Sequence, residues 1–281
     1  MSFQEPEARP VFSPPEGAPD DPRSSPRAAL RLFRTPPRSD PSRYPMEVLE
    51  EARKFRLRVG RRGVQVQAYA WGEGPPVLLV HGWGSRAARL GSLVAPLVER
   101  GLQAVAFDAP AHGASEGRTS GVQDFHDAIR AVLERTGPLH GAVGHSLGAA
   151  ALALLFAWEE HPQPERLVLT AGPADMRFIL GLFGRQAGVP GPVLAGVRRR
   201  MERRFGRGLD EYSLPRQALP PGIRVLLVHD EDDDVVPAAH SHRIARAWPG
   251  ARLFLTRGLG HSLLVHDPRV VEAVVGFLAG P

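Results

Sequence analysis

Along most of the chain the apolar positions fall into two alternating patterns. Runs of about five residues that are almost wholly apolar and rich in β-branched side chains occur at Val77 to Val80, Gln103 to Phe107, Leu139 to Val143, Arg166 to Thr170, Ile223 to Val228 and Ala251 to Leu255. Such runs suit strands buried on both faces of a parallel sheet. Between them lie helix-length segments at Ala87 to Arg100, Ser120 to Arg135, Leu147 to Trp158, Ala238 to Ala247 and Pro268 to Leu278. Phe55 to Val59 and Val64 to Trp71 flank the turn Gly60-Arg61-Arg62-Gly63 and read as an antiparallel pair. This alternation predicts an α/β fold, a mostly parallel twisted sheet of roughly eight strands flanked by helices, with functional groups at the carboxyl ends of the strands.

The pattern breaks in two places. Some 50 residues separate Thr170 from Ile223, far more than an ordinary connection, so residues 171–221 are expected to form a small helical cap inserted in a core of residues 55–170 and 222–281. The first 26 residues hold seven prolines among Ser, Glu, Asp and Arg, and residues 1–27 read as a disordered tail. Residues 28–54 are more apolar, with Met46 to Lys54 helix-competent, and are expected to pack on the domain edge.

Composition narrows the chemistry. The 281 residues include no cysteine, which excludes thiolate nucleophiles, thiolate-zinc sites and disulfides. No apolar run reaches the roughly 20 residues of a membrane span, and the first 30 residues lack a signal-peptide core, so a cytoplasmic location is the expectation. Lys54 is the sole lysine, and the net charge of +5 sits in one segment: Ala171 to Pro221 carries nine arginines against four acids, nine minus four giving +5. There Arg198, Arg199, Arg200, Arg203, Arg204 and Arg207 share a predicted helix with an apolar stripe of Val193, Leu194, Val197, Met201 and Phe205. The arginines form a solvated face, or one that attracts a carboxylate, a phosphate or an acidic surface. Without interleaved aromatics or an accompanying motif they do not indicate nucleic acid.

Between a strand and a helix stands Gly144-His145-Ser146-Leu147-Gly148, the G-x-S-x-G pattern of a sharp turn that exposes a serine. The amide of Leu147, opening the helix, would face an oxyanion. Ser146 needs a base, and His261, on the loop between the last strand and the last helix, is the best placed of eleven histidines. The carboxylate to orient it belongs to the run Asp230-Glu231-Asp232-Asp233-Asp234 that follows another strand. A divalent-cation loop is disfavoured there for want of a suitably placed glycine.

With the serine, acid and histidine in that order, the chain from Phe55 to Pro281 resembles the α/β-hydrolase family. The resemblance rests on four motifs: His81-Gly82-Trp83-Gly84, the serine turn, Asp233-Asp234-Val235-Val236-Pro237 and Gly258-Leu259-Gly260-His261. It implies Asp233 as the triad acid, although Asp230 stands where the family has glycine, Asp232 and Asp234 are adjacent, and Asp175 is a position some relatives use. It also implies the Trp83 amide as the second oxyanion donor. Asp108 to Ser115 is similar to the family's D-x-P-G-H-G-x-S turn, with Ala111 in place of a glycine. His81 and His145, and in the cap Phe178 and Leu182, are candidates for substrate contact or for packing alone.

The expected function is a serine hydrolase of a carboxylic ester or thioester with a small to medium acyl group, working through an acyl-enzyme with no metal or other cofactor. The partner is that small molecule, and the cap arginines admit an anionic one. A serine aminopeptidase, with Asp210 and Glu211 binding an amino terminus, and a non-catalytic binding protein on the same scaffold are the alternatives.

Overall fold

Which face of the sheet a residue meets follows strict alternation along the central strands. The computed structural model describes Val11, Phe12 and residues 21–280. The strands are β1 (Arg53–Val59), β2 (Val64–Trp71), β3 (Pro76–Val80), β4 (Gln103–Phe107), β5 (Gly141–His145), β6 (Arg166–Thr170), β7 (Arg224–Asp230) and β8 (Arg252–Thr256). On β3 and β4, Leu78, Val80, Val105 and Phe107 enter one apolar core, while Val77, Leu79, Ala104 and Ala106 enter the other. Both faces are therefore covered, which is why these strands read as unbroken apolar runs. The edge strand β1 alternates exposed and buried positions toward its end, as a half-solvated strand does.

The sheet order is β1-β2-β4-β3-β5-β6-β7-β8, with β1–β2 and β2–β4 antiparallel and the other pairs parallel. Among the described residues nine α-helices flank it: α1 (Pro26–Phe33), α2 (Val94–Glu99), α3 (Val122–Thr136), α4 (Leu147–Trp158), α5 (Met176–Gln186), α6 (Gly191–Phe205), α7 (Ala239–Ala247), α8 (Gly260–Leu263) and α9 (Pro268–Ala279). Helices α3 and α4 pack on one face, α2 and α9 on the other. Because α4 is buried almost all round, it shows no polar stripe. No helix of the described residues is long and apolar enough to cross a membrane.

Between β6 and β7 stand α5 and α6. Val197 and Met201 of α6 are buried, Val193, Leu194 and Phe205 partly so, while Arg199, Arg200, Arg203 and Arg204 are exposed. Three local expectations need correction. Met46 to Lys54 is not a helix: Met46–Leu49 forms one 3₁₀ turn, the Trp71 indole donates to the Val48 carbonyl at 2.7 Å, and Arg53 and Lys54 pair with Ala70 and Tyr69. Cross-strand pairing here overrides local propensity. Ala87 to Arg100 is a 3₁₀ stretch over Ala87–Leu93 followed by α2, because Leu90 leaves the helical region.

The third concerns the expected tail, most of which lies outside the described residues. Its described parts are packed: Phe12 is buried in the main core, and α1 begins at Pro26, capped by the Ser25 hydroxyl accepting from the Ala28 amide at 3.2 Å. From α1 the chain crosses the carboxyl edge of the sheet. Arg34 pairs with Asp124 at 2.9 Å, and Arg86 donates to the hydroxyl and carbonyl of Ser39.

Candidate active site

Four strand ends converge on the site, through the residues that follow β3, β5, β7 and β8, all in the contiguous parallel part of the sheet. After β5 the chain reverses at Ser146, whose φ of 53° and ψ of −119° are unusual for a residue with a side chain. The glycines around it are there for space. A Cβ on Gly148 would stand 2.3 Å from the Val80 carbonyl oxygen, and one on Gly144 would stand 2.6 Å from Ala149 backbone. Across the turn, a Cβ on Gly82 would come within 3.0 Å of the Ser146 Cβ, so the Gly82 backbone packs against the serine turn. Leu147 is the first residue of α4, and its amide is one of the helix donors without an intrahelical acceptor. It lies at the positive end of the helix dipole.

His261, on α8, has its ring 5.0 Å from that of His145, the neighbour of Ser146. Its Nδ1 lies 2.7 Å from Oδ2 of Asp233, which is buried. The same oxygen is 3.3 Å from His229 Nε2, and Oδ1 accepts the amides of Val235 and Val236 at 2.9 and 2.8 Å. Burial pushes the Asp233 carboxyl up. The hydrogen bonds from His229, His261 and the Val236 amide outweigh it and hold the group well below the usual carboxylate range. The other acids sit elsewhere. Asp232 and Asp234 are exposed, and Asp175 caps α5 through the Phe178 amide while pairing with Arg243 at 2.8 Å.

Asp230, the residue in place of the family's glycine, is fully buried and joins the acid loop to the histidine loop. Its Oδ2 accepts the Thr256 hydroxyl at 2.7 Å, and its Oδ1 accepts the amides of Gly260 and Asp232, each at 3.0 Å. In the sequence Asp230 is one of five neighbouring acids and a departure from the family motif. Its separation from Gly260 in the chain hid the partnership.

The loop after β3 is braced from behind. His81 is fully buried, with Nδ1 donating to the Gly82 carbonyl at 2.7 Å and Nε2 accepting the Ala109 amide at 2.9 Å. His112 Nε2 accepts the Gly84 amide at 3.0 Å, and its Nδ1 faces the Pro110 carbonyl at 3.0 Å. Burial lowers their pKa values to about 4 and about 3, so both rings stay neutral. Asp108 accepts the amides of Ala87 and Ala114, and desolvation raises its pKa. Ala111 keeps the left-handed backbone of the glycine it replaces, at φ 65°, and its amide donates to the Glu116 carbonyl at 2.8 Å.

Of the four candidate substrate contacts, His81 has both nitrogens engaged by backbone and none left for a ligand. His145 is buried with Nδ1 3.1 Å from the Thr170 hydroxyl, at the rear of the serine turn. Phe178 packs on the ring of His240 at 4.3 Å, and Leu182 is buried in the main core. The Trp83 indole Nε1 is buried without a protein acceptor. Among the described residues no group of three or more His, Asp or Glu side chains is arranged to hold a metal ion.

Residues 77–274 match the model of a family described as the alpha/beta hydrolase family. A pimeloyl-[acyl-carrier protein] methyl ester esterase of Xanthomonas campestris is 30% identical over 254 residues, covering 74% of this chain and 96% of its own. A probable serine hydrolase of Drosophila melanogaster is 27% identical over 225 residues, covering 75% of this chain, which spans 61% of the fly protein. Among solved structures, a Pyrococcus furiosus esterase superposes with a TM-score of 0.63 at 19% identity, over 88% of this chain and 100% of that one, a likeness of fold.

Proposed function

Because this chain belongs to the α/β-hydrolase family, we propose that it is a serine hydrolase that cleaves a carboxylic ester or thioester of a small to medium acyl group. One observation carries the proposal: His261 Nδ1 is 2.7 Å from the buried carboxylate of Asp233, and the histidine ring stands beside the strained turn that bears Ser146. A depressed carboxyl pKa keeps Asp233 ionised, so His261 donates from Nδ1 and presents Nε2 as the base.

In this reading Ser146 Oγ attacks the carbonyl carbon while its proton passes to His261 Nε2. The tetrahedral oxyanion takes hydrogen bonds from the amides of Trp83 and Leu147, each such donor contributing about 10² to 10³ in rate. Collapse expels the alcohol or thiol, which takes the proton from His261 and leaves the acyl group on Ser146. Water, deprotonated by the same nitrogen, then releases the acid and restores the serine. Asp233 orients the ring and stabilises the imidazolium throughout. Residues 55–170 and 222–281 form the catalytic core, and residues 171–221 cap it.

The aminopeptidase alternative needs free carboxylates in the cap. Asp210 is paired with Arg177, and Glu211 accepts from Arg207 and from the Gly208 amide, so both already have partners within the cap. The test is labelling of wild type and Ser146→Ala by a serine-directed phosphonate, followed by turnover of p-nitrophenyl esters, acyl thioesters and aminoacyl anilides. Wild type is expected to label and to hydrolyse esters or thioesters, and Ser146→Ala to do neither. Asp233→Asn is expected to lower kcat by about 10⁴. A wild-type protein that neither labels nor turns over any substrate overturns the proposal.

A further inference from the structure

Trp83, whose amide is a proposed oxyanion donor, has its indole ring in contact with His112, at 5.3 Å, and with Phe12, at 6.4 Å. Phe12 comes from far outside the matched family region. It stacks on Phe33, the last residue of α1, at 5.5 Å and 19°, and meets Phe183 of α5 edge-on at 5.3 Å and 80°. Phe33 and Phe183 close the triangle at 5.1 Å. Phe12 is 6% exposed and Phe183 fully buried, and the Phe12 amide donates to the Gln186 side chain at 3.1 Å. One ring contact and the hydrogen bond tie the residue to α5, and the other two ring contacts tie it to α1 and to Trp83. It is part of the wall and not a passing occupant.

We infer that Phe12 closes the acyl side of the substrate pocket and restricts this protein to short acyl groups, an inference that rests on the serine-hydrolase reading above. The assignment of sides follows from proton transfer. His261 must protonate the leaving group, so the leaving group lies toward His261, and the acyl substituent of the same carbonyl lies away from it. Trp83, with the aromatic triangle behind it, supplies contacts with His112 and Phe12. His261 is held by Asp233 and the ring of His145. A straight acyl chain running past the Trp83 ring therefore ends against Phe12, Phe33 and Phe183. Phe12 and Phe183 are buried, Phe33 is half-buried, and the three rings pack on one another; packing of this kind yields little to added methylenes.

The test compares kcat/KM for p-nitrophenyl butyrate and octanoate in wild type, Phe12→Ala and Phe12→Trp, with phosphonate labelling of Ser146 measured on every protein. Wild type is expected to favour butyrate. Phe12→Ala should raise the octanoate-to-butyrate ratio by about 10-fold or more, the discrimination that even one methylene can carry in an apolar pocket. Phe12→Trp should lower the ratio. If Phe12→Ala does not fold, Phe12→Leu takes its place with the same expected direction. The ratio for hexyl over ethyl acetate, which varies the leaving-group side, should stay where it is in wild type. Proteins that label normally but keep the wild-type acyl ratio, or that gain on both sides of the carbonyl alike, overturn the role of Phe12 and leave the hydrolase reading standing. Wild type that neither labels nor hydrolyses either ester overturns the hydrolase reading and this inference with it.

Discussion

Single residues in this protein matter chiefly through what they join. Asp230 shows it most clearly, since its buried carboxylate ties the end of β7 to Thr256 on β8 and to the Gly260 amide beside His261. Burial pushes its pKa up, and the bonds from Thr256 and the Gly260, Leu259 and Asp232 amides reverse that, so it is held below its ordinary value and stays charged. Asp230→Ala leaves those donors without an acceptor and is expected to lower unfolding free energy by about 2–3 kcal/mol, read from urea denaturation. It should also lower kcat, because the two loops that bring Asp233 to His261 lose their tie. An unshifted midpoint would show the carboxylate to be dispensable. At this scale short sequence patterns mark Ser146, Trp83 and His261 as candidates, and they place the acid within the run from Asp230 to Asp234. The roles of Asp230 and Phe12 carry no such mark, because a tie between distant positions leaves no local pattern.

Among elements, α1 packs on α6, and α6 on α5. The helix period of residues 191–205 is visible in the sequence, and the structure buries Val197 and Met201 while leaving the arginines outside. What that stripe packs against is not visible. Part of the answer is α1: Gly196 faces Pro26 so closely that a Cβ would stand 2.3 Å from the proline Cγ. Gly196→Ala is therefore expected to loosen α1 from α6 at a cost of about 1–3 kcal/mol. Limited trypsin digestion should then cut at Arg27 or Arg31 faster than in wild type, and equal rates would mean that the contact can relax. The helix expected over Met46 to Lys54 fails for the same kind of reason. Its local preference is real, but β2 offers Arg53 and Lys54 a full set of strand partners.

For the whole molecule, four buried histidines and the half-buried His266 set the response to pH. Desolvation lowers the pKa values of His81, His126 and His266 to about 4 and of His112 to about 3, and places His145 well below its ordinary value. In the unfolded chain these rings titrate near pH 6.5. Below that pH the unfolded state binds protons that the native state refuses, so stability is full above about 6.5 and falls as the pH drops toward 4. Each ring contributes a slope of about 1.4 kcal/mol per pH unit in that window. Asp233, also depressed, adds its loss only below about pH 4. Thermal midpoints measured from pH 8 to pH 4 should be level at first and then fall steeply, and a midpoint that holds steady down to pH 5 would contradict the burial of these rings.

Local spacing along the chain dictates the alternation of strand and helix, the doubly covered sheet, the helical segment after β6 and the serine turn. Each of these is written in spacing, where a period of 2 or 3.6 or a fixed run of small residues constrains the backbone within a few positions. Which of five neighbouring acidic residues meets His261, what holds the two loops together, and the place of Phe12 beside Trp83 are set by the folded chain alone. Those are contacts between positions tens of residues apart, chosen by packing and by the need of buried polar groups for partners, and no local period records them.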